Sequence, residues 1–455
     1  MSIEVTREAA EWVVGALSGR AAPEEIATRF SPRLAARGEM ARIFAGGKRF
    51  AAFREHGGEV DDVSALGRWS VRATVRTGAD LWELDVAVDP ESPHLIRSFE
   101  PRMAAPDAVA WTTIADGLRG QDRMESELPA DAARRVHARL TQAVDASHIV
   151  GLVAGLAVDG ALVHASYLGV SDLASMGRLD LHSVFGVGSV AKAVTALGVL
   201  HLAEQGLVEL DAPIQSYVKT PTLTRADPED PAPTVAQLLV HRGGLAKSLG
   251  RRLPPGSASL GEAVPQIPLA WSPGARAEYS NTGYLLLGEL IQTVAGEPYA
   301  EFCSREVLAR FGLSDAGWGA SATVTGHQVV AAMVDAVAPE GAELPGSGGM
   351  TASAADLLTL TRHYASADDP LIQSALSLTT QAGPGVRFGA GIALLDRAEG
   401  TMLWRGGATS GFNCEILAAL DGSAGVVILA SKSPPEGLKE VASELAAELR
   451  RDRSS

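Results

Sequence analysis

Three short stretches carry side chains able to do acyl chemistry. The first is Gly188-Ser189-Val190-Ala191-Lys192. Residues three apart on a helix share a face, so Lys192 falls one turn from the Ser189 hydroxyl. A lysine there can take the proton of a serine nucleophile or assist it electrostatically, and a helix N-terminus favours developing negative charge. Burying such a lysine is costly unless it is paired or neutral. Alone, the pair also fits an N-cap serine and a lysine that snorkels to solvent. The second stretch is the Trp271-Ser272-Pro273-Gly274 turn followed by Glu278-Tyr279-Ser280-Asn281-Thr282-Gly283-Tyr284. It offers a phenol that can relay a proton if nearby cations lower its pKa. The Asn281 amide can hold a substrate carbonyl or the lysine. A core tyrosine and a capping asparagine fit the same residues. The third stretch is Leu403-Trp404-Arg405-Gly406-Gly407-Ala408-Thr409-Ser410-Gly411-Phe412. Its paired glycines allow close backbone approach, and a backbone N–H there can face that of Ser189 as an oxyanion hole. A glycine-rich turn at a strand end is the plainer reading.

The elements that must position these groups are legible in part. From Ser189 to Gln205 the sequence is apolar on nearly every side, which predicts a buried helix, ended by Gly206. Leu285, Leu286, Leu287 and Leu290 predict a helix entered through the Tyr279–Asn281 loop. Hairpins are predicted at Asp159-Gly160, between runs 149–158 and 161–169, and at Asp421-Gly422, between 415–420 and 425–430. Helices are expected near 129–144 and 436–450. The Arg405 stretch lies just before the second hairpin, so an edge strand is expected. Terminal helices around a central antiparallel sheet give one α/β sandwich, with 207–345 as an inserted, helix- and loop-rich region. Residues 106–126 read as a linker. Residues 1–105 read as a small α+β domain: Ala22-Pro23-Glu24-Glu25 starts a helix. Trp69, Val71, Ala73 and Val75 then alternate with Ser70, Arg72, Thr74 and Arg76 before a Gly78 turn and a second strand, Trp82 to Val88.

Composition narrows the function classes. At 455 residues two domains are expected, and 46% hydrophobic with 20% charged residues describes a globular protein with a sizeable core. A formal charge of -15 argues against nucleic acid and anionic membrane as partners. The start MSIEVTREAAEWVVGALSG lacks a basic segment followed by an unbroken apolar run, and no run reaches membrane-spanning length, so a cytoplasmic location is expected. Cys303 and Cys414 have no CxxC partner or adjacent histidine and read as buried thiols. No HExxH or close His/Asp/Glu cluster is present, so no metal or cofactor is expected.

Taken together and in this order, Ser189-x-x-Lys192, Tyr279-x-Asn281 and Arg405-x-Gly407 resemble the motif set of the class C β-lactamase, D,D-peptidase and family VIII esterase group. Leu210-Asp211-Ala212-Pro213, the segment Thr234 to Leu245 and the segment Gly348-Gly349-Met350 to Asp356 resemble that family as well. The resemblance covers roughly 127–450 and implies a fold: an antiparallel sheet flanked by helices, with a helical insert, over 127–455. The N-terminal domain resembles the steroid-isomerase-like (cystatin/NTF2-like) extra domain of some actinobacterial β-lactamase-like proteins, where a scaffold or lid role is expected.

The resemblance also implies roles. Ser189 attacks an ester or amide carbonyl, Lys192 and Tyr279 move its proton, and Asn281 orients substrate or lysine. The N–H groups of Ser189 and Ala408 hold the oxyanion, with Arg405, Gly406 and Gly407 lining the substrate. The expected partner is a small-molecule ester, amide or β-lactam, with esterase ahead of β-lactamase. Acyl transfer in specialised metabolism and a catalytically inactive binding protein are the alternatives. Two departures stand out. Arg405 replaces the family's Lys, His or Trp, which suggests either a carboxylate anchor or a pair with a protein acid such as Glu415. Gly243 replaces a usual Ser. His241 is expected to be structural.

Overall fold

A computed structural model describes residues 2–31, 50–67, 69–78, 80–103, 108–225, 231–249, 259–319, 322–330, 333–337, 346–432 and 437–452. The chain forms two compact units. One is built mainly from Met1–Ala110, the other from Trp111–Leu245, Leu253–Gln328 and Asp335–Ser455.

In the first unit, helices α1 (Ser2–Leu17), α2 (Pro23–Arg29) and α3 (Ala51–His56) precede strands β1 (Glu59–Gly67), β2 (Ser70–Thr77), β3 (Asp80–Val88) and β4 (Ile96–Met103). The strands form one antiparallel sheet in sequence order. The period-two pattern of β2 sends Val71, Ala73 and Val75 inward while Arg72 and Arg76 face out. On the inner face Trp82, Phe50 and Phe53 pack ring to ring, beside Val13, Val14 and Leu17 of α1. On the outer face Arg72 forks onto Asp85 with bonds of 2.7 and 2.9 Å.

The second unit is built on a nine-stranded antiparallel sheet. Its elements begin with all but the first three residues of α4 (Ala108–Arg119), then β5 (Arg123–Ser126), α5 (Ala130–Ser147), β6 (Gly151–Val158), β7 (Ala161–Gly169), β8 (Val184–Gly186) and α6 (Ala191–Glu204). Next come α7 (Val235–Leu239), α8 (Asn281–Ala295), β9 (Met350–Ser353) and α9 (Ala354–Ser366). The last are β10 (Thr379–Gly383), β11 (Val386–Gly389), β12 (Ala393–Arg397), β13 (Gly400–Thr409), β14 (Phe412–Ala419), β15 (Gly425–Ala430) and α10 (Leu438–Asp452). The sheet order is β10-β11-β12-β13-β14-β15-β6-β7-β5. Strand β6 pairs with β15, so the two hairpins expected from Asp159-Gly160 and Asp421-Gly422 lie side by side at its centre. On one face Val136 and Leu140 of α5 and Val441, Leu445 and Leu449 of α10 bury the sheet residues Leu152, Leu156, Leu417, Val426 and Ile428. On the other face α9 contacts β6 and β15.

Two expectations change. The 106–126 linker is structured where it is described: β5 is the outermost strand, paired with β7. Arg123 stacks over the Tyr167 ring at 4.1 Å, and Asp122 accepts the Gly169 N–H at 2.8 Å. The Arg405 strand is not an edge strand in the order of the sheet, because β10, β11 and β12 lie beyond it. Strand β12 nevertheless stops opposite Trp404. Among the described strands, residues 405–409 therefore pair with β14 alone and keep one side open. The terminal helix is described from Leu438; its expected start at Glu436 lies outside the described residues.

Candidate active site

The sequence puts Ser189 on a tight turn rather than in the helix proper. Gly188–Val190 forms one 3₁₀ turn before α6 begins at Ala191, with Gly188 at φ +50°. Glycines let this turn meet the open side of β13. A Cβ on Gly188 would lie 2.8 Å from the Ala408 backbone N and 2.6 Å from its O. A Cβ on Gly407 would lie 2.0 Å from the Val187 carbonyl oxygen and 3.2 Å from the Ser189 N. Any side chain at either position would wedge strand and turn apart.

Ser189 Oγ is a meeting point. Tyr279 Oη donates to it at 2.9 Å, and Lys192 Nζ donates to it at 3.2 Å. Lys192 has 0% exposure and also donates to the Ser347 carbonyl. Its ammonium lies 5.3 and 5.7 Å from the Tyr279 and Tyr284 ring centres. Arg405 closes the group from β13. Its Nε and Nη2 donate to the Ser189 carbonyl at 2.9 and 2.7 Å, and Nη2 also reaches Tyr279 Oη at 3.0 Å.

These contacts set the protonation states. Burial pushes Lys192 down to about 8, helped by the Arg405 charge and opposed by Tyr279. Burial alone would raise the Tyr279 phenol. The charges of Arg405 and Lys192, with hydrogen bonds to Ser189 and Lys192, outweigh it and bring the phenol down to about 7. Near neutrality one of the two groups on Ser189 can therefore accept a proton.

The loop carrying Tyr279 is held from behind. His241 Nδ1 accepts the Ser280 N–H at 3.1 Å, and its carbonyl accepts the Glu278 N–H at 2.9 Å. Its ring packs 4.6 Å from Tyr279 and 5.0 Å from Phe388. Burial, then Arg405 and Lys192, hold the imidazole well below its usual range, so it is neutral. Ser280, not Asn281, caps α8, accepting the Gly283 N–H at 3.0 Å. Asn281 is therefore free of capping duty, and its Oδ1 is buried without a hydrogen-bond partner among the described residues. At Gly243 a Cβ would lie 2.3 Å from Leu238 Cδ2, so the Leu238 side chain occupies the space a serine would need.

The structure brings Ser189, Lys192, Tyr279 and Arg405 into one hydrogen-bonded cluster, with Gly407 and Ala408 against the Ser189 turn. Gly406 differs from expectation. It pairs with Glu415 and faces that side chain, on the side of the sheet away from Arg405. For the same reason Arg405 does not pair with Glu415; its bonds go to Ser189 and Tyr279 instead. Two contributors had no role assigned to them from the sequence. One is the Ser347 backbone carbonyl. The other is Tyr284, which donates to the Leu239 carbonyl and accepts the Gly391 N–H. The nearest sequence signal was the glycine at 346, at φ +105°, where a Cβ would lie 2.1 Å from the Tyr284 carbonyl. Cys303 and Cys414 are free, buried thiols. Among the described residues no three His, Cys, Asp or Glu side chains converge as a metal site, and no described helix is long and apolar enough to cross a membrane.

A family model described as Beta-lactamase matches residues 136–451. Esterase EstB of Burkholderia gladioli is 28% identical over 205 residues, 42% of this chain and 52% of that protein. The D-alanyl-D-alanine-carboxypeptidase/endopeptidase AmpH of Escherichia coli K12 is 26% identical over 203 residues, 42% of this chain and 51% of that protein. The chain thus spans about half the length of the curated relatives it matches. Among solved structures, EstCE1, titled a hydrolase with promiscuous acyltransferase activity, aligns with a TM-score of 0.60 at 22% identity, over 70% of this chain and 98% of that one.

Proposed function

The chain belongs to the Beta-lactamase family, whose matched relatives include an esterase and a peptidase, and on that footing we propose that it hydrolyses a small ester through an acyl-enzyme on Ser189. The observation that carries this reading is the pair of groups on one hydroxyl, Tyr279 at 2.9 Å and Lys192 at 3.2 Å, both shifted toward neutrality.

In the proposed sequence, Ser189 Oγ attacks the ester carbonyl as its proton passes to the Tyr279 oxygen, with Lys192 beside it. The carbonyl oxygen gains the negative charge and is held by the Ser189 and Ala408 N–H groups. Collapse of this intermediate expels the alcohol, which takes the proton back from Tyr279, and leaves the acyl group on Ser189. Water repeats the steps: it loses its proton to Tyr279 and attacks the acyl carbonyl, and Tyr279 returns that proton to Ser189 Oγ as the acid leaves. Asn281 Oδ1, buried and without a partner among the described residues, orients the substrate or Lys192. Arg405 keeps the phenol acidic and braces the Ser189 carbonyl. Two of its three guanidinium nitrogens are committed inside the protein. That commitment favours a neutral ester over a carboxylate-bearing β-lactam.

Turnover of a short-chain p-nitrophenyl ester and of a cephalosporin, by wild type and Ser189→Ala, tests the proposal. The expected result is ester hydrolysis at a kcat/KM at least ~10-fold above that for the lactam, lost in Ser189→Ala. Faster lactam turnover would reverse the substrate order. Product diverted to an added alcohol in preference to water would make the enzyme an acyltransferase. Ester turnover unchanged in Ser189→Ala would remove the acyl-enzyme altogether.

A further inference from the structure

Behind the strand that carries Arg405 sits a carboxyl group that the proposed chemistry does not use. Glu415 pairs directly with Gly406 across β13 and β14. A Cβ on Gly406 would lie 3.1 and 3.3 Å from the two Glu415 carboxyl oxygens, so the carboxyl fills the place of the missing side chain. Trp404, two residues earlier and on the same face, donates Nε1–H to Glu415 Oε2 at 2.9 Å. Lys439 of α10 covers the Trp404 ring, with Nζ 3.7 Å from its centre. Glu415 is 9% exposed. Among the described residues no cation forms an ion pair with it, although an ionised carboxylate in such a place is costly without one.

We propose that Glu415 is a positioning residue for this site, protonated in the working enzyme, so that no negative charge stands behind the Gly406–Ala408 backbone where the oxyanion forms. The inference rests on the Ser189 reading above. Glu415 touches no substrate and acts through the strand. Ionised, it would oppose charge on the far side of the same peptide groups and weaken the pull of Arg405 on Tyr279. The groups facing it support the assignment. Burial, the largest influence, raises Glu415 to about 7. The Trp404 hydrogen bond, Lys439 and Arg405 oppose that rise, while Glu440 on α10 adds to it. The neighbouring Cys414 thiol is pushed up by burial and stays neutral.

The test is kcat/KM for the p-nitrophenyl ester from about pH 5 to about pH 10 in wild type, Glu415→Gln and Trp404→Phe. In wild type, activity is expected to fall as Glu415 ionises above about 7. Glutamine keeps the shape but cannot ionise. Its falling limb should move up by about one pH unit, toward the range of Lys192 at about 8. Trp404→Phe leaves Glu415 in place but removes a bond that favours the carboxylate, so its limb should also move up. A Glu415→Gln limb that coincides with wild type overturns the proposal. If that variant does not fold, an unmoved limb in Trp404→Phe overturns it. Labelling by a fluorophosphonate, followed in the same samples, separates the two readings. Labelled Ser189 with an unmoved limb sinks only the Glu415 role; an unlabelled wild type sinks the Ser189 reading.

Discussion

Tyr279→Phe is expected to lower kcat/KM for a short-chain ester by ~10³-fold, with KM little changed. The phenol donates to Ser189 Oγ and accepts from Arg405, so the substitution removes the proton carrier for both halves of the reaction. General acid–base groups contribute roughly 10²- to 10⁴-fold. The pH profile gives the sharper reading. An active enzyme needs the phenol as phenolate before attack, so in wild type activity should rise through about pH 7, where Tyr279 loses its proton. Phenylalanine cannot ionise, so that rise should vanish from whatever activity is left. A loss of tenfold or less, with the rise in place, would hand the base role to Lys192, which touches the same oxygen and titrates at about 8.

Arg405→Ala is expected to cost ~10²-fold in kcat/KM at neutral pH, equally for neutral and carboxylate-bearing esters. Among the influences that lower the Tyr279 phenol, the Arg405 charge is the largest. Without it the phenol returns toward its ordinary value, and the rising limb moves to higher pH. At neutral pH less phenolate is present, so the pH of maximal activity should move up, although the fall expected above about 7 limits how much of the loss alkaline buffer recovers. The Ser189 carbonyl also loses both of its guanidinium bonds, which loosens the turn. A carboxylate anchor would behave differently: its loss would raise KM for the acidic ester alone and leave the limb in place. Arg405→Lys should fall between wild type and alanine, because a point charge restores the field but not the two-pronged grip on Ser189.

The sequence announced the parts of this site that depend on local spacing. Ser189 and Lys192 are one helical turn apart, and both hairpins beside the centre of the sheet were marked by Asp-Gly turns. The 191–204 segment is apolar on nearly every side, which marks a buried helix. Contacts between distant segments were not legible. Arg405 reaches a carbonyl 216 residues away, and no local pattern tells that bond from an ion pair with Glu415. Strand alternation did contain the answer for Gly406, since neighbours on a strand face opposite ways; that rule applies only once the register with β14 is known. The strands beyond β13 were missed because β10, β11 and β12 span only four or five residues each and are broken by Gly383, Gly385, Gly389 and Gly391. Strand β5, four residues long, was hidden inside a charged segment for the same reason. The Ser347 carbonyl that receives Lys192 is backbone, and so has no signature in residue type.

The most direct measurement is the intact mass of the protein after brief exposure to the p-nitrophenyl ester, in wild type and Ser189→Ala. The mechanism predicts a mass increase equal to the acyl group in wild type, mapped to Ser189 and decaying as hydrolysis proceeds, with none in Ser189→Ala. Ester turnover with no adduct at any time, or an adduct that persists in Ser189→Ala, would contradict it.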